Sequence, residues 1–198
     1  IYLDHRGCGR STGDKETWHL DQWADDLEVF CKTLGIDSPI VFGQSFGGMV
    51  AMHYAARYPK SVSKLILSST AAQFRLDETK KMMCKLGGDY AAEVAYQFFS
   101  KPSQDAYDTY GKVCLPLYSN PNAPAAGNFR NRAIERPEVA LHFFSYEMAR
   151  MDMRSEIASI TCPTLVIGGT IDPVTPPICS QVIACLLYTS PSPRDGLL

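Results

Sequence analysis

Apolar positions change their period along the chain, and the changes mark its elements. From Thr17 to Leu34 apolar residues recur at intervals of three and four, at Leu20, Trp23, Ala24, Leu27, Phe30, Cys31 and Leu34. That is the spacing of one helix face, and Gly35 ends it. Shorter runs without that period predict strands: "IYLD" at residues 1–4, "PIVFG" at 39–43, "VSKLILSST" at 62–70 and "CPTLVIGGT" at 162–170. "PIVFG" reads as buried. "FGGMVAMHYAARYP" predicts a helix that ends near Pro59. Strand, helix, strand, helix, strand implies right-handed crossovers and a parallel sheet. Residues 71–157 read instead as several helices, with "DETKKMMCKLG", "DYAAEVAYQFF" and "PEVALHFFSYEMARM" the clearest. A helical insertion therefore interrupts an α/β sheet.

Composition narrows what such a chain does. Its 198 residues are 45% hydrophobic and carry a formal net charge of −2, enough for one domain with a substantial core. A mildly acidic balance without Lys or Arg runs offers nothing to nucleic acid or to anionic lipid. No apolar stretch approaches the roughly 20 residues needed to cross a bilayer, and no basic and apolar leader opens the chain, which points to the cytoplasm. The seven cysteines are scattered without a CxxC or a neighbouring histidine, so free thiols are expected rather than a disulfide framework or a zinc site. No metal or cofactor is expected. "GCGRSTG" spaces its glycines as G-x-G-x-x-x-G and lacks a fitting acidic residue after a second strand, which argues against a dinucleotide site.

The candidate chemistry sits where a predicted strand meets a predicted helix. Gly43-Gln44-Ser45-Phe46-Gly47 fits G-x-S-x-G, in which an abrupt turn presents the serine hydroxyl above the sheet edge. A side chain at Gly43 or Gly47 would collide with neighbouring backbone. The Phe46 N–H, at the positive end of the helix dipole, is the expected donor to a developing oxyanion.

With that turn in place, three motifs resemble the α/β-hydrolase family. "LDHRGCGRST" is similar to its loop after the fourth strand, "GQSFGGMVAMHYAARYP" to its nucleophile elbow, and "CPTLVIGGTIDPVTP" to the strand and turn that deliver the triad acid. The combination most resembles the proline iminopeptidase-like branch. The resemblance implies an incomplete α/β-hydrolase parallel sheet, lacking the first three strands and the last strand, with a helical cap insertion. It divides the chain into core at 1–70, cap at 71–157, core at 158–184 and a tail at 185–198. It implies Ser45 as nucleophile, Asp172 as triad acid and Phe46 as oxyanion donor. Gln44 and Glu147 become candidate substrate contacts, Glu147 for an amino group. The expected partner is a small-molecule or short-peptide substrate, and the expected activity is hydrolysis of an ester, amide or N-terminal prolyl peptide. A non-catalytic binding protein on the same scaffold is the alternative.

The family order is serine, acid, histidine, yet none of the four histidines, His5, His19, His53 and His142, follows Asp172. His53 lies eight residues past Ser45 on the predicted helix, about 12 Å away. No base is assigned. "CLLYTSPSPRDGLL", residues 185–198, shows no helical or strand pattern. Residues 185–195 back-translate, with permitted codons throughout, into a string resembling a transposase-type sequencing-library adapter, so the genuine sequence in this chain is expected to stop near Ala184 and residues 185–198 to be an adapter-derived, non-native tail. With a second oxyanion donor and a central strand expected before Ile1, the 198-residue chain is expected neither to fold robustly nor to turn over.

Overall fold

The computed structural model describes residues 1–119 and 133–189. It divides into two compact units, one made of Ile1–His19 and Leu76–Arg150, the other of Leu20–Arg75 and the residues from Met151 onward.

The second unit contains the sheet. Strands β1 (Ile40–Gln44), β2 (Lys64–Ser68) and β3 (Thr164–Ile167) lie in the order β1-β2-β3, all parallel. The register pairs Gly43 with Leu67 and Gln44 with Ser68, and Ser68 in turn with Ile167. Three of the predicted strands thus form, and all three have their carboxyl ends at one edge. Helix α1 (Leu20–Thr33) stops as expected at Gly35, whose φ of 63° closes the last turn through the Ile36 N–H to the Cys31 carbonyl at 2.9 Å. Helix α2 (Phe46–Arg57) packs on β1 and β2 and against α1; α6 (Pro177–Thr189) packs on β3.

The α1–α2 seam joins apolar burial to a polar network. Trp23 and Tyr54 are fully buried, and the Tyr54 hydroxyl donates to Glu28 Oε2 at 2.9 Å while Lys32 meets Glu28 Oε1 at 2.9 Å. Burial alone would raise the Glu28 carboxyl, but the Lys32 and Tyr54 bonds outweigh it and hold it below its ordinary value. The same burial, with Glu28 as acceptor, pushes the Tyr54 phenol up. Nearer the exposed side, Asp25 accepts from the Tyr58 hydroxyl at 2.6 Å and from Arg57 Nε at 2.7 Å, and these bonds hold its carboxyl low, Tyr58 contributing most.

Two strand readings are corrected. Residues 1–4 form no strand, and Ile1 and Tyr2 are exposed. Four residues acquire strand structure only by exchanging hydrogen bonds with a neighbour, and no described strand pairs with them. "PIVFG" does form β1 but is not buried. Ile40 and Phe42 are 60% and 61% exposed, and on the same face Leu165 and Ile167 of β3 are 55% and 46% exposed. The opposite face, with Leu65 and Leu67, is buried. The side-chain period of two puts alternate residues on opposite faces, and α2 covers one of them.

In the first unit, the two predicted helical segments at 77–99 form as two helical stretches that meet at a non-helical Gly88, together α3 (Leu76–Ser100). There φ is 78° and ψ −177°, a conformation open essentially to glycine alone. Helix α4 (Gln104–Val113) follows, capped by the Ser103 hydroxyl on the Ala106 N–H at 3.2 Å, and then α5 (Pro137–His142) runs into a wider turn at Phe143–Glu147. Phe98 centres this unit's core: its ring lies 4.7 Å from that of Tyr110 and 5.0 Å from that of Phe144. In the loop at residues 5–13, Asp4 orders the chain by accepting from the Arg10 N–H at 3.3 Å, and a Cβ on Gly9 would abut the Asp4 carboxylate.

The chain past Ala184 is also corrected. Helix α6 continues through Cys185 to Thr189. Leu186 and Leu187 are good helix formers, which is why the helix does not stop at Ala184. Residues 190–198 of the predicted tail lie outside the described residues.

Candidate active site

Ser45 joins the end of β1 to the start of α2, and the local chain has few alternatives. Its N–H donates to the Ser68 carbonyl at 3.0 Å, which continues the β1–β2 ladder by one bond. Its own carbonyl accepts from the Gly48 and Met49 N–H groups at 2.9 and 3.2 Å, which begins the helix. One residue serving both patterns takes φ 50° and ψ −119°, a strained conformation for a side chain with a Cβ. The Ser45 side chain is exposed, as G-x-S-x-G predicts.

Two glycines make room for this turn. A Cβ on Gly43 would abut the Gly47 carbonyl and lie 2.7 Å from Gly48 Cα. The second crowded position is Gly48, one residue beyond the motif: a Cβ there would sit 2.6 Å from Thr70 Cβ. Thr70 follows β2, is buried, and donates its hydroxyl to the Ser45 carbonyl at 2.8 Å. Sequence reasoning missed both Gly48 and Thr70. The doubled glycine of "FGGMV" was a signal for the first; nothing in the pattern marked the second.

Phe46 opens α2, and its ring stands edge-on to Trp23 with centroids 4.9 Å apart. Its amide lies at the positive end of the helix dipole. Gln44 is exposed at the carboxyl end of β1.

Asp172 lies in the turn after β3, half-buried. Its Oδ1 accepts from the Val174 and Thr175 N–H groups at 2.9 and 2.8 Å, and its Oδ2 from the Thr175 hydroxyl at 3.1 Å. Three donors from its own loop fix the carboxylate rather than leave it to solvent. Ser45 and Asp172 follow the two outer strands of a parallel three-stranded sheet, so both stand at its carboxyl edge with β2 between, a span of about 9–10 Å by strand spacing.

Of the four histidines, one shares a unit with Ser45 and Asp172. His53 is held by carboxylates on both sides, Nε2 at 2.7 Å from Asp21 Oδ1 and Nδ1 at 2.9 Å from Glu156 Oε2. It staples α1 and α2 to the segment leading into β3. His5, His19 and His142 belong to the other unit, where the His142 ring lies 5.7 Å from that of Trp18. Glu147 is in that unit too, half-buried in the wide turn after α5.

Comparison with known proteins bears on the family and the fold. A profile of the family described as alpha/beta hydrolase fold matches residues 1–187. A proline iminopeptidase of Clostridioides difficile (strain 630) is 40% identical over 95% of this chain and 68% of its own length. One of Clostridium botulinum (strain Hall) is 29% identical over 95% of this chain and 68% of its own. Among solved structures, an alpha/beta fold family hydrolase from Bacillus anthracis str. Sterne superposes with a TM-score of 0.64 at 20% identity, covering 93% of this chain and 69% of that one. The enol-lactonase from Burkholderia xenovorans LB400 gives 0.60 at 22% identity, over 92% and 66%. The chain spans about two thirds of the length of these relatives.

Proposed function

This chain belongs to the alpha/beta hydrolase fold family, and on that premise we propose that it carries the nucleophile and the acid of a serine hydrolase acting on a small acyl substrate: an ester, an amide or an N-terminal prolyl peptide. The observation that carries the reading is the backbone at Ser45, where a strained residue between parallel strand and helix presents an exposed hydroxyl at the sheet edge that also bears Asp172.

In the proposed reaction Ser45 Oγ bonds to the acyl carbon as a histidine takes its proton. The acyl oxygen becomes an oxyanion, and the Phe46 N–H stabilises it. The tetrahedral species collapses, the bond to the leaving oxygen or nitrogen breaks, and that atom receives the proton from the imidazolium. Water then releases the acyl group by the same steps. Asp172 accepts the other ring N–H, selecting the useful tautomer and stabilising the charged ring. We assign the base to a histidine of the parent polypeptide outside these 198 residues, because both nitrogens of His53 already face carboxylates; the 198-residue chain alone is then inactive. Gln44 is the proposed substrate contact beside the nucleophile. Glu147 is the proposed partner of a substrate amino group, a choice favoured by relatives named proline iminopeptidase.

A fluorophosphonate probe on the full-length polypeptide tests this. Labelling at Ser45, lost in Ser45→Ala and suppressed by N-terminal prolyl peptides in preference to short esters, is the expected result. A folded full-length protein that leaves Ser45 unlabelled excludes the hydrolase and leaves a binding protein.

A further inference from the structure

We propose that Thr70 is a positioning residue of this site, one that aims the Phe46 amide by anchoring the carbonyl on the opposite side of the same peptide plane; the proposal rests on reading Ser45 as the nucleophile. The Ser45–Phe46 peptide is trans, as are all the peptide bonds described. In a planar trans peptide the C=O and N–H point in opposite directions, so whatever fixes one fixes the other. The Thr70 hydroxyl donates to the Ser45 carbonyl at 2.8 Å. Two further donors reach that oxygen, the Gly48 and Met49 N–H groups, but both belong to the helix that the peptide opens. Thr70 reaches it from the end of the neighbouring strand. It therefore ties the peptide plane to the sheet rather than to the first turn of α2.

The surrounding chain is shaped for this contact. Thr70 is 1% exposed. The residue before it, Ser69, holds φ at 46° while its N–H donates to the Ile167 carbonyl at 2.8 Å, so a second strained serine turns the chain as it leaves β2. Gly48 supplies the clearance, since a Cβ there would come within 2.7 Å of Thr70 Oγ1 and 2.8 Å of its methyl. Two strained residues and a glycine converge on one hydrogen bond, and local strain of this kind persists only where its surroundings enforce it. An oxyanion donor acts by lying about 2.7–3.1 Å from the position that the charged oxygen will occupy, so a tilt of the peptide plane takes the N–H off that position.

The test compares Thr70→Val, which keeps the shape and removes the hydroxyl, with Thr70→Ser, which keeps the hydroxyl, in the full-length protein. Thr70→Val is expected to lower kcat about tenfold or more, short of the roughly 10²–10³ for outright loss of an oxyanion donor, and to leave KM nearly unchanged. Thr70→Ser is expected to restore most of it. Should Thr70→Val not fold, Thr70→Ala replaces it. Equal kcat in the wild type and the hydroxyl-free variant, or an equal loss in Thr70→Ser, overturns the proposal. The Ser45 carbonyl and Phe46 amide resonances are recorded for the same set. If the wild type neither turns over nor labels, the hydrolase reading fails, and these resonances decide the anchoring alone: a shift confined to the hydroxyl-free variant supports it, and unmoved resonances reject it.

Discussion

Single residues carry the chemistry here through their backbone as much as through their side chains. Ser45 and Asp172 are held differently: the first by strain between two hydrogen-bond patterns, the second by three donors from its own loop. Asp172→Asn keeps an acceptor for the Val174 and Thr175 N–H groups, so the turn should survive. If Asp172 is the triad acid as proposed, Asn no longer selects the histidine tautomer, and hydrolysis by the full-length protein is expected to fall by about 10⁴ in kcat at similar stability, read from steady-state kinetics beside a thermal melt. A residue away from the site contributes to acid sensitivity. The Asp25 carboxyl is held low by the Tyr58 hydroxyl and then by Arg57. Its folded pKa lies below the unfolded value near 3.9, so its contribution to stability is complete above about pH 4 and is lost as pH falls through the folded value. Asp25→Asn should flatten the stability profile below about pH 4 and leave its slope near neutrality unchanged, as urea midpoints across that range would record. Its side chain is 35% exposed, so added salt should shrink the difference.

At the scale of elements, the alternation of strand and helix was legible because burial imposes a period on each. Gly35 ended α1 as read, and G-x-S-x-G marked the junction of β1 and α2, since only a narrow set of residues fits that turn. The α1–α2 seam was half legible. The apolar stripe through Trp23 predicted a buried face, but pairing of Glu28 with Tyr54 joins residues of different helices, and no period within either helix encodes it. Tyr54→Phe should cost about 1–3 kcal/mol in chemical denaturation, because Glu28 stays buried with one donor fewer. Full stability in that variant would show Lys32 to be a sufficient partner. Thr70 escaped notice for the same reason. A threonine after a strand is ordinary, and its partner lies twenty-five residues earlier, as its hydrogen bond to Ser45 shows.

For the molecule as a whole, the exposed face of the sheet is the dominant fact. Ile40, Phe42, Leu165 and Ile167 form one side of a parallel sheet, and such sheets ordinarily have both faces covered. The 198-residue chain on its own should therefore bind a hydrophobic dye and associate with increasing concentration, and Phe42→Lys should reduce both without loss of secondary structure. Dye fluorescence and light scattering decide it; a monomer that leaves the dye dark refutes it. The amino-acid sequence by itself determined the alternation of elements and the turn at Ser45, because periodicity and glycine sterics act between near neighbours, while Asp172 was singled out only by the resemblance of "CPTLVIGGTIDPVTP" to a family motif. Tertiary structure alone decided that residues 1–4 are not a strand, that Ile40, Phe42, Leu165 and Ile167 on one sheet face are exposed among the described residues, that His53 lies between Asp21 and Glu156, and that Thr70 reaches the Ser45 carbonyl. Each of these depends on what distant segments place beside a residue, and a local pattern does not carry that information.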